Sequence, residues 1–158
     1  MKNHFFTKVK IKFGKYLART FPLNRVRCFG LRMCGFNIGK NVYIGPNLRI
    51  ASLISVKGCN LKIEDRVAIG PNVTLVLSSD ANNSKLMENI SPVIGEIILE
   101  NDSWIGACVL ILPNVVIGEG AIVGASSMVN KSVPSKKIYA GNPAKFIKDI
   151  IPNRINKD

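Results

Sequence analysis

The residues that could bind a metal ion are few, and their spacing does not suit a metal site. The four cysteines stand at positions 28, 34, 59 and 108 without a C-x-x-C pair, and the only histidine is His4. This pattern excludes a His/Cys zinc site, so no metal is expected. It also argues against a disulfide framework, and we therefore expect a reducing, cytoplasmic location.

Polar side chains gather where a loop-like segment begins. The segment covers 81–98, Asp80 precedes it, and its first residues include Asn82, Asn83 and Ser84. A carboxylate accepts protons, and amides and hydroxyls hydrogen-bond to other hydroxyls. Loops on a rigid scaffold often carry function, although an Asn-rich turn needs no ligand to explain it.

The net charge of +12 comes from the first part of the chain. Residues 1–63 contain thirteen Lys and Arg and no acid, whereas the remaining 95 residues contain nine basic and ten acidic groups. We expect a basic amphipathic segment over 1–35. It either only caps the end of a solenoid or also touches a membrane surface or an anionic substrate. No nucleic-acid-binding motif accompanies the charge, so nucleic acid is not an expected partner.

Two short helices are expected inside this basic segment. The residues Phe5, Val9, Phe13 and Leu17 are four apart and would share one helical face, although the alternation from Val9 to Phe13 also fits a strand. A second helix over about 23–34 would turn Leu23 and other residues toward the solenoid and stop at Gly35. No stretch resembles a secretory signal or a membrane-spanning helix.

The element that must position the polar residues is a repeat of six. Between Leu99 and Val133 an aliphatic residue recurs every sixth position, and the same interval appears over 38–50 and 63–75. A period of six fits neither an α-helix nor a simple strand and indicates a solenoid. Position two of the repeat is often Gly, which fits a tight corner, and position five carries a small inward side chain.

Three such faces close a coil of about eighteen residues, so twelve repeats predict about four stacked coils. The expected fold is an all-β solenoid, a parallel β-helix over 36–134 with an excursion at 81–98. A helical cap precedes it, and a C-terminal segment over 135–158 follows it. The period slips by one residue between Val56 and Asn60.

The repeats, the excursion, Trp104-Ile105-Gly106 and the motif Tyr-Ala-Gly-Asn-Pro-Ala-Lys at 139–145 resemble the hexapeptide-repeat acyltransferases. The resemblance covers about 23–150 and is strongest to the galactoside and maltose acetyltransferases and the O-acetyltransferases of surface polysaccharides. It implies a left-handed β-helix, a homotrimer with active sites in clefts between subunits, and acetyl-CoA as the acyl donor.

The resemblance also implies roles for particular residues on the donor side. In the family, the pantetheine arm bonds to backbone groups at small residues, and an aromatic residue lies beside the thioester. Asn130 and Lys131 match a Thr-Lys pair near the nucleotide, with Asn replacing Thr. Lys145 and Lys148 match basic residues near the phosphates. The implied cofactor-binding residues are Trp104, Ala107, Ala125, Asn130, Lys131, Lys145 and Lys148.

The acceptor side departs from the family pattern. Relatives carry a catalytic histidine where this chain has Asp80, and an Asn and an Asp where it has Ile50 and Lys57. Asp80 could replace the histidine as base if burial between subunits makes its carboxylate more basic. Glu88, Glu96 or a neighbouring subunit's carboxylate could share this task. Alternatively, Asp80 only orients the acceptor, and holding the two substrates together supplies most of the rate. Asn82, Asn83 and Ser84 are the implied substrate contacts.

Two classes of function follow. The first is a transferase that moves an acetyl or related short acyl group from acyl-CoA to a hydroxyl or amine of a sugar or surface-glycan precursor. Its acceptor is a small molecule or lipid-linked, with peripheral membrane contact through the basic segment. The second is a weakly active or inactive trimeric module that retains CoA binding or a scaffold role. The γ-type carbonic anhydrases share this fold but need clustered histidines, which are missing here.

Overall fold

Four coils of three short strands form the body of the chain. The computed structural model describes residues 2–52 and 60–151. The predicted slip between Val56 and Asn60 lies mostly outside the described residues, as do Lys57, Cys59 and the end of the predicted C-terminal segment. In chain order, the strands are β1 (Asn37–Ile38), β2 (Tyr43–Ile44), β3 (Arg49–Ala51), β4 (Asn60–Ile63), β5 (Ala68–Ile69), β6 (Thr74–Val76), β7 (Ser78–Ser79), β8 (Val93–Ile94), β9 (Glu96–Leu99), β10 (Trp104–Ile105), β11 (Leu110–Ile111), β12 (Val115–Ile117), β13 (Ile122–Val123), β14 (Met128–Val129), β15 (Lys137–Ala140) and β16 (Lys145–Asp149).

The strands stack into three sheets, one on each side of a three-sided prism. Sheet A has the order β1-β4-β9-β12, sheet B the order β2-β5-β10-β13-β15-β16, and sheet C the order β3-β6-β11-β14. Within these three sheets, all pairs are parallel except β15 with β16. The prediction of a three-sided parallel β-helix of four coils is confirmed.

The core is the set of aliphatic residues that recur every six positions. On sheet A, Ile38, Ile63, Leu99 and Ile117 lie in one register column, and all four are buried. The residues at position five also point inward, including Val67 and Ser103. The inward side chains of each coil therefore pack on those of the next coil. Burial of these apolar columns stabilises the solenoid.

The backbone angles at the corners correct one detail of the sequence interpretation, which assigned the tight turn to the glycine at position two. The residue with positive φ is the one at position four, for example Asn41 at 55°, Asn72 at 59° and Cys108 at 58°. The glycine at position two is needed for close stacking instead. A Cβ added to Gly70 would lie 2.7 Å from the backbone nitrogen of Ala107 in the next coil.

Two helices, α1 (Lys2–Thr20) and α2 (Asn24–Met33), cover the open end of the first coil. Asn24 bonds through its side chain to both Val42 O and Ile44 N, each at 2.8 Å. Lys15 donates to Ile50 O at 3.2 Å, and Arg32 donates to Ile38 O. The helices thus satisfy backbone groups on all three sides that would otherwise lack partners, which confirms the predicted cap.

The packed faces of the helices differ from the expected ones. Gly14 of α1 lies directly against Gly30 of α2, and a Cβ on either glycine would fall 2.5 Å from the other's carbonyl oxygen. Phe13 remains 52% exposed, and Leu23 is 61% exposed. The small residues pack the helices together, so the larger apolar residues of α1 remain outside. No helix within the described part of the chain is long and apolar enough to cross a membrane.

The excursion and the C-terminal segment also contain strands. The chain leaves the coil through β7, which pairs with β8 in an antiparallel ladder, and a 3₁₀ turn at Lys85–Glu88 lies between them. The coil resumes at Glu96, inside the range predicted as loop. After Val133, β15 extends sheet B in register with β13, and β16 folds back on β15. The solenoid therefore continues beyond residue 134.

Candidate active site

Asp80 lies in a small polar cavity at the corner where sheet C passes to sheet A. The cavity has a volume of about 350 Å³ and is lined by Ala51, Ser52, Ser78, Ser79, Asp80 and Asn82. The carboxylate of Asp80 is half-buried, and its Oδ1 accepts a hydrogen bond from the backbone N–H of Asn82 at 3.0 Å. This bond fixes the direction of the carboxylate. It leaves Oδ2 available to a hydroxyl group inside the cavity.

The other predicted acceptor residues divide into two groups. Asn82 lines the cavity and has a positive φ of 47°, which asparagine tolerates well. The hydroxyl of Ser84 accepts a hydrogen bond from Leu86 N at 3.2 Å and caps the 3₁₀ turn. Ser84 therefore stabilises the local turn. Asn83 is exposed and does not line the cavity. Sequence reasoning did not identify Ser52, Ser78 and Ser79. Ser78 and Ser79 directly precede Asp80 in the chain, and this adjacency was the available signal, whereas the position of Ser52 beside Asp80 depends on the stacking of two coils.

A second cavity, of about 510 Å³, adjoins the first and is strongly basic. It lies between α1 and the first rungs of sheet C, and Ala51 lines both cavities. Lys15 connects them, because its Nζ donates to Ser52 Oγ at 2.6 Å. The spacing of Lys12, Lys15 and Arg19 in the sequence was a signal for this surface. Nothing in the sequence alone showed that Arg49 would join them.

On the donor side, Ala107 and Ala125 stack at the corner between sheets B and C. Ser126 N donates to Ala107 O at 2.8 Å, which holds the two corners one above the other. Ala125 is exposed, and Ala107 is half-buried. With only methyl side chains there, a ligand can approach the peptide groups of both coils closely.

Trp104 and the two C-terminal lysines lie on sheet B. The indole is 56% exposed. Trp104 pairs with Ile122, Ile122 with Ile138, and Ile138 with Lys148. Trp104 and Lys148 are therefore in one register column, about 14 Å apart at the usual strand spacing. Lys145 begins β16 and pairs with Ala140 on the same sheet.

Asn130 and Lys131 lie elsewhere. They follow β14 at the corner between sheets C and A in the last coil, and both are exposed. This is the corner from which the Asp80 loop leaves two coils earlier. The structure thus does not bring them next to Trp104.

The two halves of the predicted site are not assembled within one chain. Sheet B, which carries Trp104, is the prism face opposite the corner that carries Asp80. A hydroxyl held at Asp80 therefore could not reach an acyl group held at Trp104 of the same chain. Among the described residues, no group of three His, Cys, Asp or Glu side chains is placed to hold a metal ion.

The corner between sheets A and B carries ion pairs, of which Arg66–Asp102 joins adjacent coils and Lys62–Glu64 lies within one coil. Arg66 and Asp102 are bidentate partners at 2.6 and 2.7 Å across adjacent coils, and Arg66 holds the pKa of the Asp102 carboxyl below its ordinary value. Hydrogen bonding from Lys62 lowers the pKa of Glu64 in the same way. These ion pairs lie at a corner of the prism that is away from both cavities.

Comparison with known proteins places these features in a family. The description bacterial transferase hexapeptide (six repeats) matches residues 96–131. The galactoside O-acetyltransferase of Escherichia coli (strain K12) is 35% identical over 116 residues, which is 73% of this chain and 57% of the relative. The putative lipopolysaccharide biosynthesis O-acetyl transferase WbbJ of the same organism is 35% identical over 156 residues, which is 87% of this chain and 77% of the relative.

A solved structure, a galactoside acetyltransferase in complex with coenzyme A, superimposes with a TM-score of 0.62 and 26% identity, covering 96% of this chain and 84% of that one. The likeness confirms the left-handed sense of the predicted β-helix. The chain spans about half the length of several curated relatives that it matches, for example 57% and 51% of two galactoside O-acetyltransferases. Repeat pattern, fold and relatives agree, and the chain belongs to the hexapeptide-repeat acyltransferase family.

Proposed function

We propose that this chain transfers an acetyl or related short acyl group from acyl-CoA to a hydroxyl or amine of a sugar or surface-glycan precursor. The observation that carries the proposal is the stacked pair Ala107 and Ala125, an open backbone ledge beside the sheet that carries Trp104. The structurally similar galactoside acetyltransferase has coenzyme A bound.

The ledge suits the donor. The pantetheine arm carries two amides, which hydrogen-bond readily to peptide groups that no side chain covers. The indole of Trp104 offers an exposed apolar face for the acyl end. Lys145 and Lys148 are exposed cations on the edge of sheet B, where they would pair with phosphate groups. Asn130 and Lys131 remain proposed contacts of the nucleotide end.

On the acceptor side we assign Asp80 the role of general base. Its Oδ2 takes the proton from the acceptor hydroxyl as that oxygen attacks the thioester carbonyl carbon. The C–S bond then breaks, and the CoA sulfur leaves as a thiolate that is protonated afterwards. Asn82 would hydrogen-bond to another hydroxyl of the sugar, and Asn83 and Ser84 remain secondary proposed contacts. Holding both substrates together supplies a further share of the rate.

Because Asp80 and Trp104 lie on opposite sides of one prism, we propose that the working unit is a homotrimer. Each cleft would then combine the Asp80 loop of one subunit with the Trp104 face of its neighbour. This arrangement also explains why the acceptor cavity is open in the single chain. A cytoplasmic location, in which the cysteines remain reduced, is part of the same proposal. Cys28, Cys34 and Cys108 are free thiols.

Peripheral membrane contact is a further part of the proposal, supported by one face of α1. The residues Phe6, Val9, Phe13 and Tyr16 recur at helical spacing and are all exposed, with lysines beside them. Such a face suits the surface of a membrane with anionic lipids, where a lipid-linked acceptor would be found. Sedimentation with vesicles that contain anionic lipid tests this part separately.

The central test measures acetyl-CoA binding by calorimetry and release of free thiol with a panel of sugar acceptors. Asp80→Asn should lower thiol release by about 10²–10⁴-fold, the range for loss of a general base, while acetyl-CoA binding is retained. Glu88→Gln and Glu96→Gln are matched controls in the same loop region and should have little effect. Tight donor binding with no thiol release from any acceptor would support the inactive module instead.

A further inference from the structure

We propose that the basic cavity beside α1 binds a negatively charged group on the acceptor, so that the acceptor is an anionic sugar bearing a phosphate or a carboxylate. The inference rests on the proposed transfer function and names the substrate class of that same site. It concerns a surface formed by the cap and the first coil, on the acceptor side of the molecule.

The positive charge of the cavity comes from two separate elements. Lys12 and Arg19 lie on the side of α1 that faces sheet C, two helical turns apart. Arg49 stands in β3, where its register partner in the next coil is Thr74. The phenol of Tyr16 and the hydroxyl of Thr74 supply neutral donors beside these cations. The side chains thus converge from a helix and a sheet on one space of about 510 Å³.

These cations are not neutralised within the described part of the chain. The ion pairs found there use Lys62, Arg66 and Lys137, and none involves Lys12, Arg19 or Arg49. No acidic residue occurs anywhere in positions 1–63, and no carboxylate lines the cavity. Like charges held together repel one another, and an oxyanion placed between them would remove this cost.

The position of the cavity connects it to the reaction. Ala51 is shared with the cavity of Asp80, and Lys15 spans the two by its bonds to Ile50 O and Ser52 Oγ. Lys15 is therefore a fixed part of the wall. A sugar with its reacting hydroxyl at Asp80 would extend its charged substituent toward Arg49 and α1.

The three sides of α1 have separate tasks under this assignment. At 100° per residue, Gly14 and Ala18 face α2, Lys12 and Arg19 face the cavity, and Phe13 and its apolar neighbours face outward. Tyr16 lies at the border between the two sides, because it lines the cavity and also belongs to the exposed apolar set of α1. Val9 and Phe13 do not line the cavity, so most of the apolar side is separate from the basic side. Anion binding in the cavity does not depend on lipid.

The test is a binding titration that needs no turnover. The protein is saturated with coenzyme A, and three probes are titrated by calorimetry: N-acetylglucosamine, its 1-phosphate, and glucuronic acid. The charged sugars should bind about tenfold or more tightly than the neutral one, because hydrogen bonds to charged groups are the stronger class. Whichever of phosphate and carboxylate binds better identifies the source of the charge.

Matched variants locate the effect. The double variant Lys12→Ala/Arg19→Ala should lose the preference for charged sugars, and so should Arg49→Gln. Arg25→Ala/Lys40→Ala removes one exposed charge from α2 and one from the first coil, both beside a different cavity, and should keep the preference. Thermal melts of all variants confirm that each is folded.

Equal affinity for charged and neutral sugars, the absence of any binding by the charged ones, or equal losses in both double variants would each overturn the proposal. Thiol release with a neutral acceptor distinguishes this failure from failure of the transferase function. If neutral sugars are acetylated and charged sugars gain nothing, only the anionic acceptor is wrong.

Discussion

The stacking of Gly106 on the next coil makes Gly106→Ala a direct test of the spacing between coils. The added Cβ would lie 2.6 Å from Ala125 N and 2.9 Å from both Ala125 Cα and Gly124 C. All three atoms belong to backbone, so no side chain can rotate away. The coils must separate where Gly106 N donates to Val123 O at 2.8 Å and Ser126 N donates to Ala107 O at 2.8 Å.

Overpacking of this kind costs about 1–3 kcal/mol. For a chain of this size the melting temperature should fall by about 2–12 °C. The assay is a thermal melt followed by circular dichroism at fixed protein concentration and without cofactor, because ligand and oligomer stabilise the folded state. Donor binding should weaken as well, since the ledge formed by Ala107 and Ala125 is displaced.

Gly124→Ala provides the comparison. Its Cβ would meet the Cβ of Ala140 at 2.8 Å, whereas backbone atoms are 3.6 Å or farther away. The second change Ala140→Gly should therefore recover part of the stability lost in Gly124→Ala, and it should give no recovery to Gly106→Ala. An unchanged melting temperature for Gly106→Ala, or equal effects of Ala140→Gly in both backgrounds, would refute the stacking explanation.

Three further predictions concern the cap, acid stability and assembly. Asn24→Ala leaves Val42 O and Ile44 N without their side-chain partner and should cost about 1–3 kcal/mol in urea denaturation, whereas the exposed Asn83→Ala should cost little. Arg66 and Lys62 lower the pKa values of Asp102 and Glu64, so the stabilisation from these ion pairs is present at neutral pH and lost as pH falls through the lowered values. The gap in melting temperature between wild type and Lys62→Ala/Arg66→Ala should therefore narrow as the pH falls below the ordinary carboxyl range. The proposed homotrimer predicts that Asp80→Asn and Trp104→Ala are each nearly inactive alone and that refolding the two subunits together restores thiol release. No recovery in verified mixed trimers would contradict a shared cleft.

The body of the fold could be predicted from the sequence because each coil repeats the same local rule. An aliphatic residue every six positions can be buried only if the chain turns at the same interval, and sheets A, B and C follow from three such turns. The end of the solenoid was harder to predict. Pro134 interrupts the pattern, yet Ile138 and Tyr139 still pair with Ile122 and Val123 because the exposed edge of β13 offers free backbone groups.

The corners show a different limit. Glycine in a sequence suggests positive φ, but Gly70 and Gly106 are required by contacts with a coil eighteen or more residues away. Asn41 and Asn72, at position four of the repeat, adopt the positive φ instead. Asparagine tolerates the left-handed region, and this preference was the available signal in the sequence. Local propensity identifies candidates for a turn. Only the stacking decides which residue makes it.

The candidate site depends still more on long-range placement. Asp80 was found from its position before the excursion. Ser52, which lines the same cavity, and Arg49, which lines the adjoining one, come from the preceding coil and could not be located from spacing alone. The same coil receives the cap, and Lys15 bonds to its last strand. The cap therefore does two things at once. It satisfies the open end of the β-helix, and it brings positive charge to the cavity that adjoins Asp80. Under the proposed function, a change of cap sequence should therefore alter acceptor choice without altering the repeats.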